Sequence, residues 1–565
     1  MTIGTALFAA DAATLAITAC GATADDRSDC TPAVQVALAR CRSEGIHTLV
    51  FPKGRYDFFP ARATERYLAV SNNDPGMKRI AFPLVGVSDL VIDGQGADLV
   101  FHGIIVPFVL DGAHHITLRN LSIDWQRPFH SEGVVVAADA GGVELTFSDE
   151  FPYQIAGGRF VPQGDNQQGI EIDNALEFDT TLRETAFQVS DNYGFADKVV
   201  ASAVAPGRVR FSGKFSTPQP HVGNLMALMP NHRLAPAIVI LESHDVRLQD
   251  VTIFHAGAMG VIAQRSSELA LERLVVAPRP GGKRLISATA DATHFSGCGG
   301  AITMTGCRFE NQIDDATNVH GIYTRVTARP DARSVEVKLM HPQQYGVRVA
   351  DVGDLMQFIH ADTLAGYHRA AVTAVRVINQ EYTVLTFAEP LPAELRLTDG
   401  VLDLRWSADF TARGNRSRGN RARGFLISTA GRVLIEDNDF HVPGSAIIIA
   451  GDANYWFESG PVADVTIRGN RFTACGYGTW GRATIAIEPE IRAEHRGLPR
   501  YHHGIRIVGN AFEVVDNRVL FAHSVAGLQC TGNTFTPSAT YPPTHAEAKR
   551  FTVTDCDDVM LQEER

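Results

Sequence analysis

The chain has 565 residues, 45% of them hydrophobic, with 50 Gly and a formal net charge of −12; it can bury a large core, and its acidity argues against nucleic acid or an anionic membrane surface as a partner. No run approaches the ~20 apolar residues of a membrane-spanning helix. Eight scattered cysteines, with no CxxC or Cys/His zinc spacing, argue against a disulfide scaffold and a structural metal.

The first 24 residues are apolar, and Ile17-Thr18-Ala19-Cys20 loosely resembles a lipoprotein cleavage box. No Lys or Arg precedes Arg27, however, and Asp11 interrupts the run, so the charged start of an export signal is missing. Localisation stays open: secreted or periplasmic if a signal lies outside this sequence, otherwise cytoplasmic. Residues 17–22 read as a strand ending in Gly. Thr31 is the expected N-cap and Pro32 the first residue of a helix over 32–44, with Ala33, Val36 and Ala37 on its apolar stripe. Cys30 and Cys41, about 16 Å apart along such a helix, cannot bridge. A helix followed by the strand at Thr48-Leu49-Val50 suits a cap over the open apolar end of a coil.

Repeats follow. Leu90-Val91-Ile92-Asp93-Gly94, Ile116-Thr117-Leu118-Arg119-Asn120-Leu121, Val246-Arg247-Leu248-Gln249-Asp250-Val251 and Leu269-Ala270-Leu271-Glu272-Arg273-Leu274 share one pattern. Ile435-Glu436-Asp437-Asn438-Asp439-Phe440, Ile467-Arg468-Gly469-Asn470-Arg471-Phe472, Ile507-Val508-Gly509-Asn510-Ala511-Phe512 and Cys530-Thr531-Gly532-Asn533-Thr534-Phe535 sharpen it. Each is an alternating strand, a corner and an apolar residue. Asn tolerates the left-handed backbone of a tight corner, and stacked Asn side chains can bond one another. Such units bury their apolar faces only against neighbouring coils, so a stacked solenoid is expected; with the helix and strand at 31–50, which resemble the entry cap of pectate-lyase-like proteins, this implies an all-β, right-handed parallel β-helix.

Two stretches break the rhythm with longer alternating strands, and closure is the usual way such strands avoid bare edges. The expected divisions are therefore the cap and first coils over 1–129, a β-barrel-like insertion over 130–230, further coils over 231–322, a second such insertion over 323–408, and C-terminal coils over 409–565.

The chemistry concentrates in the third of these. Asp291 precedes the adjacent pair Asp314 and Asp315 by about one coil, and Asn311, Gln312, Asn318 and His320 crowd the same place. Converging carboxyls drive their pKa values apart, leaving one acid and one base, as glycosidic hydrolysis requires. Stacked strands lie about 4.8 Å apart, whereas inversion asks for carboxyls roughly 6.5 to 9.5 Å apart; acid and base should then be laterally offset. In a regular strand Asp314 and Asp315 would face opposite ways. Either the pair sits at a bend with both side chains in the cleft, or only one is catalytic.

Asp291 with Asp314-Asp315 and Asn318-Val319-His320-Gly321, Ile123-Asp124-Trp125-Gln126-Arg127-Pro128, and the stretch from Gly451-Asp452 through Tyr455-Trp456-Phe457-Glu458 to Gly460 together resemble glycoside hydrolase family 110 over nearly the whole chain. The resemblance implies an exo-acting, inverting, metal-independent α-1,3-galactosidase with no cofactor, whose partner is a glycan such as the blood group B epitope or linear Gal-α-1,3-Gal. The acid layout also resembles that of polygalacturonases, another inverting β-helix group. A β-helix lyase would want Ca²⁺ and a Lys or Arg base in a basic cleft, whereas this motif is acidic and lacks Lys, and a non-catalytic carbohydrate-binding spike would not need three carboxyls. Assembly into a homo-oligomer stays open.

Role by role, Asp291 is the expected general acid, alone beside Ala290, Ala292 and Phe295 where desolvation would keep its proton; Asp314 and Asp315 would hold and deprotonate the water. Trp125, Tyr455 and Trp456 could stack on sugar, Arg127, Glu458 and Asn318 could bond galactose hydroxyls, and His294 and His320 could hold a carboxylate or hydroxyl. Glu488 and Glu490 read as a solvated loop.

Overall fold

The computed structural model describes residues 14–165, 170–215, 219–230, 232–497 and 499–563. Period-two alternation decides the local structure. In Asp464–Arg468, Val465 and Ile467 are buried while Thr466 and Arg468 face outward. The inward set then stacks coil on coil, Val433 on Val465, Ile505 and Leu528.

Repetition of this unit builds a parallel β-helix with three ladders. The first runs from Thr14–Ala16 through Thr48–Val50, Ser88–Phe101 and His114–Trp125 to Asp557–Leu561. A second begins at Arg55–Phe58 and ends at Thr534–Pro537. The third, which carries the candidate site, runs from Gly76–Val85 to Phe551–Thr554. One hydrophobic core fills the coil from Leu15 to Cys530. Within it Phe440, Phe472, Phe512 and Phe535 stack with centroids 5.2, 4.6 and 5.4 Å apart.

The helix Thr31–Glu44 packs Val34, Ala37 and Cys41 onto this core beside Leu49 and Phe82. Its N-cap is Cys30 rather than Thr31, and Asp29 Oδ1 accepts the Thr31 N–H at 2.9 Å. Residues 17–20 form a 3-10 turn closed by left-handed Gly21, not a strand; the strand is the preceding Thr14–Ala16. The first half of the apolar opening stretch, residues 1–13, lies outside the described residues. All eight cysteines are free.

Corners divide the helix into two halves. At the late corners the left-handed residue is the one before Asn, with φ 55° at Asp437 and 64° at Gly469, so Asn is not there for its backbone. Its amide makes a ladder instead: Asn415, Asn438, Asn470 and Asn510 each pass an Nδ2–H to the Oδ1 of the next, ending at Asn533, at 2.9 to 3.0 Å.

Two β-units interrupt the coils. After Trp125 the chain forms a seven-stranded antiparallel sheet whose edge strands are Glu184–Thr185 and Val199–Ala205, packed over Val135, Leu145, Phe160 and Phe211. The strand Thr317–Asp331 starts in the third ladder and runs out into the second unit, which closes through Ser334–Lys338, Tyr382–Phe387, Gly366–Val377, Leu355–Ile359 and Gly400–Asp403. The chain thus leaves and rejoins the helix on both sides of the acidic coil.

Candidate active site

Register places the acids. Thr293–Ser296 pairs with the start of Thr317–Asp331, Thr293 beside Thr317, and Thr317 pairs in turn with Phe425. Thr293 and Phe295 point into the coil, as do Val319, Phe425 and Ile427, so His294, Asn318, Ser296 and His320 share the outer face. Two positions ahead of each strand stand Asp291, Asp315 and Arg423, in one column; the Ala292 N–H donates to the Asp315 carbonyl at 2.9 Å. Asp291 and Asp315 are therefore stacked, not laterally offset as expected from the inverting spacing. Asp314 joins them because residues 313–316 bend before the strand begins, which releases the pair from strict alternation. Carboxylate oxygens of Asp291, Asp314 and Asp315 all lie within 4.8 Å of one another.

The three acids sit in unequal surroundings. Asp314 meets Arg233 at 3.0 Å, Arg421 at 3.3 Å and Arg423 at 3.6 Å, and Arg423 Nε donates to Asp315 Oδ1 at 2.6 Å. Among the described residues no arginine pairs with Asp291; its Oδ2 lies 2.6 Å from His294 Nδ1. Burial, reinforced by Asp314, raises the Asp291 carboxyl well above the carboxylate range. Burial also raises Asp315, against the pull of Arg423.

A second cluster backs the first. His294 Nε2 is 2.8 Å from His320 Nε2, and His320 Nδ1 is 2.8 Å from the Gly321 carbonyl. Glu458, on a short strand paired with Gly321 and Ile322, stands 3.8 Å from His320. It accepts from the amides of Asn72 at 2.5 Å and Asn318 at 3.0 Å. Burial opposes the Glu458 charge, but His320, His294 and these amides outweigh it and hold its pKa down to about 2. Burial also lowers His294 to about 4 and lowers His320. Burial thus disfavours the charged form of both rings.

Ligand atoms of His294, His320 and Glu458, like those of the three aspartates, are compact enough for a cation. Their lone pairs are already engaged, however: the imidazoles with each other, Glu458 with amides, and Asp314 and Asp315 with arginines that supply the positive charge. Neither trio has the free ligand set of a metal site.

Residues 131–226 match the family description GLAA-B beta-barrel domain I, and 334–401 match GLAA-B beta-barrel domain II. The chain is 36% identical to Alpha-1,3-galactosidase A of Shewanella woodyi, over 94% of this chain and 86% of that protein. It is 32% identical to Alpha-1,3-galactosidase B of Bacteroides thetaiotaomicron, over 95% and 88% of the two chains. The chain belongs to the α-1,3-galactosidase family, glycoside hydrolase family 110.

For a member of this galactosidase family, the residues expected from sequence divide cleanly. Asp291, Asp314, Asp315, His294, Asn318, His320 and Glu458 come together at one point. Half-buried Trp456 stands at the rim, its ring 4.1 Å from His341 and 5.9 Å from the Arg233 guanidinium, while Tyr455 is largely exposed. The turn carrying both is wound on Asp452, whose carboxylate accepts the N–H groups of residues 454 to 457.

Two expected substrate ligands are corrected. Trp125 is 2% exposed, packed between Phe101, Phe129 and His255 with its indole N–H on the Gly103 carbonyl; it offers no face to a sugar. Arg127 is buried and spends its guanidinium on the carbonyls of Pro128, His130 and Gln163 and the Ser131 hydroxyl, so it braces the junction with the first insertion. Glu488 is half-buried and paired with Arg482 at 3.1 Å, not simply solvated. Asn72, Arg233, Arg421 and Arg423 were not anticipated. Arg423 alone had a sequence signal, since Ala292-Thr293, Ala316-Thr317 and Gly424-Phe425 are equivalent steps and the residue before each joins the column.

Proposed function

We propose that the protein removes terminal, non-reducing α-1,3-linked galactose from glycans, including the blood group B epitope and linear Gal-α-1,3-Gal, with inversion. The observation that carries this reading is the electrostatic asymmetry of two buried, stacked carboxyls. Asp291, without an arginine and beside a neutral imidazole, is suited to keep its proton and give it to the leaving oxygen. Asp314, met by three arginines, and Asp315, whose burial-raised carboxyl is opposed by Arg423 at 2.6 Å, are placed to hold water and take its proton. The curated relatives, named as α-1,3-galactosidases, supply the bond to be cleaved.

As the glycosidic C–O bond breaks, its electron pair goes to the leaving oxygen, which takes the Asp291 proton. Water attacks the opposite face of the sugar ring and passes its proton to the Asp314–Asp315 side, giving β-galactose first. Arg233 and Arg423 oppose the charge changes without donating protons themselves. One observation favours a different course: closest oxygens within 4.8 Å are nearer the roughly 5 to 5.5 Å typical of retaining enzymes. Proton NMR of the first product from Gal-α-1,3-Gal separates the two. β-Galactose first is expected; α-galactose first would mean retention through a covalent intermediate. Failure to release galactose from either substrate would sink the activity itself.

A further inference from the structure

We propose that the Gly321 carbonyl, acting through His320 and His294, keeps a proton on the Asp291 carboxyl, so that His294 and His320 are positioning residues that fix Asp291 as the acid. The inference rests on the hydrolytic reading above but comes from counting protons.

Three contacts stand in line: Asp291 Oδ2 to His294 Nδ1 at 2.6 Å, His294 Nε2 to His320 Nε2 at 2.8 Å, and His320 Nδ1 to the Gly321 oxygen at 2.8 Å. Each needs a hydrogen between its heavy atoms. A carbonyl can only accept, so His320 must carry its proton on Nδ1, and as a neutral ring it then accepts at Nε2. His294 must therefore donate from Nε2, which leaves its own Nδ1 as an acceptor. The last hydrogen comes from Asp291. Two neutral imidazoles supply two protons for three links, and the carboxyl supplies the third.

Loss of that proton, with both rings neutral, would set two lone pairs against each other at one link. The alternative is an imidazolium, and both rings are fully enclosed, where an extra charge is poorly solvated. The charged groups facing the chain are Glu458 toward the imidazoles, and Asp314, Asp315, Arg233 and Arg423 toward Asp291. Glu458 would favour an imidazolium, but the Asn72 and Asn318 amides already satisfy it. The two acids beside Asp291 work in the same direction as the chain, and the arginines against it.

In turnover the Asp291 O–H turns from His294 to the leaving oxygen, the O–H bond breaks as the new one forms, and solvent returns the proton afterwards. The imidazoles are neither oxidised nor alkylated and end as they began.

Histidine-selective ¹⁵N NMR of the full chain tests the count directly. At pH 7, His294 should carry its hydrogen on Nε2 alone and His320 on Nδ1 alone; a doubly protonated His294, or one with its hydrogen on Nδ1, overturns the proposal. Kinetics give a second reading. On Gal-α-1,3-Gal, His320→Ala should lower the alkaline pKa of kcat/KM by a pH unit or more, because His294 is then free to change tautomer. His320→Gln should restore it, its carboxamide accepting from His294 and donating to Gly321. With α-galactosyl fluoride, whose leaving group needs no acid, the limb should not move. Equal alkaline limbs on the disaccharide in wild type and His320→Ala would also overturn it. If galactose is not released at all, the functional reading fails while the NMR result still decides the proton chain.

Discussion

Two columns of side chains run along the same coils and solve stacking in opposite ways. In the corner column, Asn415 to Asn533, like stacks on like: every amide but the last donates to the next, each also donates to a backbone carbonyl such as Met304, Ala412 or Ile507, and every Oδ1 accepts. In the other column Asp291, Asp315 and Arg423 stack, carboxyl on carboxyl on guanidinium. A neutral group with both donor and acceptor repeats without limit, whereas two carboxyls cannot both ionise cheaply in a buried stack. The fold supplies the same pitch of about 4.8 Å to both. Side-chain chemistry alone decides whether that pitch stabilises the coil or loads a reaction.

The largest effects should come from unbalancing the acidic column. Asp315→Asn should abolish release of galactose from Gal-α-1,3-Gal and hydrolysis of α-galactosyl fluoride alike, a loss of at least about 10²- to 10⁴-fold for a base. Asp291→Asn should lose about as much on the disaccharide but much less on the fluoride. Equal losses for Asp291→Asn on both substrates, or azide rescue of Asp315→Asn with retained configuration, would exchange or discard the roles.

The same substitution at 291 should stabilise the fold. Asp291 binds its proton more tightly folded than unfolded, so the native protein loses stability as pH rises from the unfolded carboxylate value toward the folded one. Asn carries no such linkage, and its amide can donate to His294. Thermal unfolding midpoints of wild type and Asp291→Asn should converge near pH 3 and separate upward, the variant ahead. A separation that shrinks with rising pH would contradict a protonated Asp291.

Breaking the Asn column should cost stability at every pH. Asn470→Ala leaves the Asn438 backbone N–H and amide without their common acceptor, at about 1–3 kcal/mol for each buried donor stranded. Phe472→Ala opens the stack between Phe440 and Phe512 and should cost about 3–5 kcal/mol. Urea midpoints unchanged in either variant would mean that the column does not support the coil.

The columns also mark what could be read from sequence. Phe472, Phe512 and the Asn corners were legible because each repeats with its neighbours. Asp291 and the Asp314–Asp315 pair were legible as an excess of polar residues one coil apart. Trp125 was misread although alternation through Leu121 and Ile123 places it inward; its motif suggested a sugar where its register said core. Arg127 was misread as a sugar ligand because most of its partners are backbone carbonyls that a motif does not show, and Arg233 could not be placed because its partners Asn72 and Asp314 lie on distant stretches of the chain. The stack of Asp291 on Asp315 follows from the Thr293–Thr317 register, a pairing that no local motif in the sequence displays, whereas the inverting spacing asks for a lateral offset.

The smallest effect should sharpen the comparison most. The Asn column ends at Cys307, whose N–H donates to Asn415 Oδ1 at 2.8 Å and whose thiol lies 3.4 Å from the Leu271 carbonyl. Leu271 pairs with Met304 and Met304 with Ala412, and the last two are carbonyl acceptors of the ladder. Cys307 thus already occupies the ladder site with a weak donor in place of an amide. Cys307→Asn should add bonds to Asn415 Oδ1 and to Leu271, against the loss of a small buried apolar group. The expected change in stability is within about 1 kcal/mol, toward stabilisation, with galactose release unaltered. Destabilisation by more than about 2 kcal/mol, the cost of a buried amide left unbonded, would show that the ladder stops at Asn415 because the coil changes shape there. A neutral or stabilising result would place the limit in the choice of residue, not in the geometry.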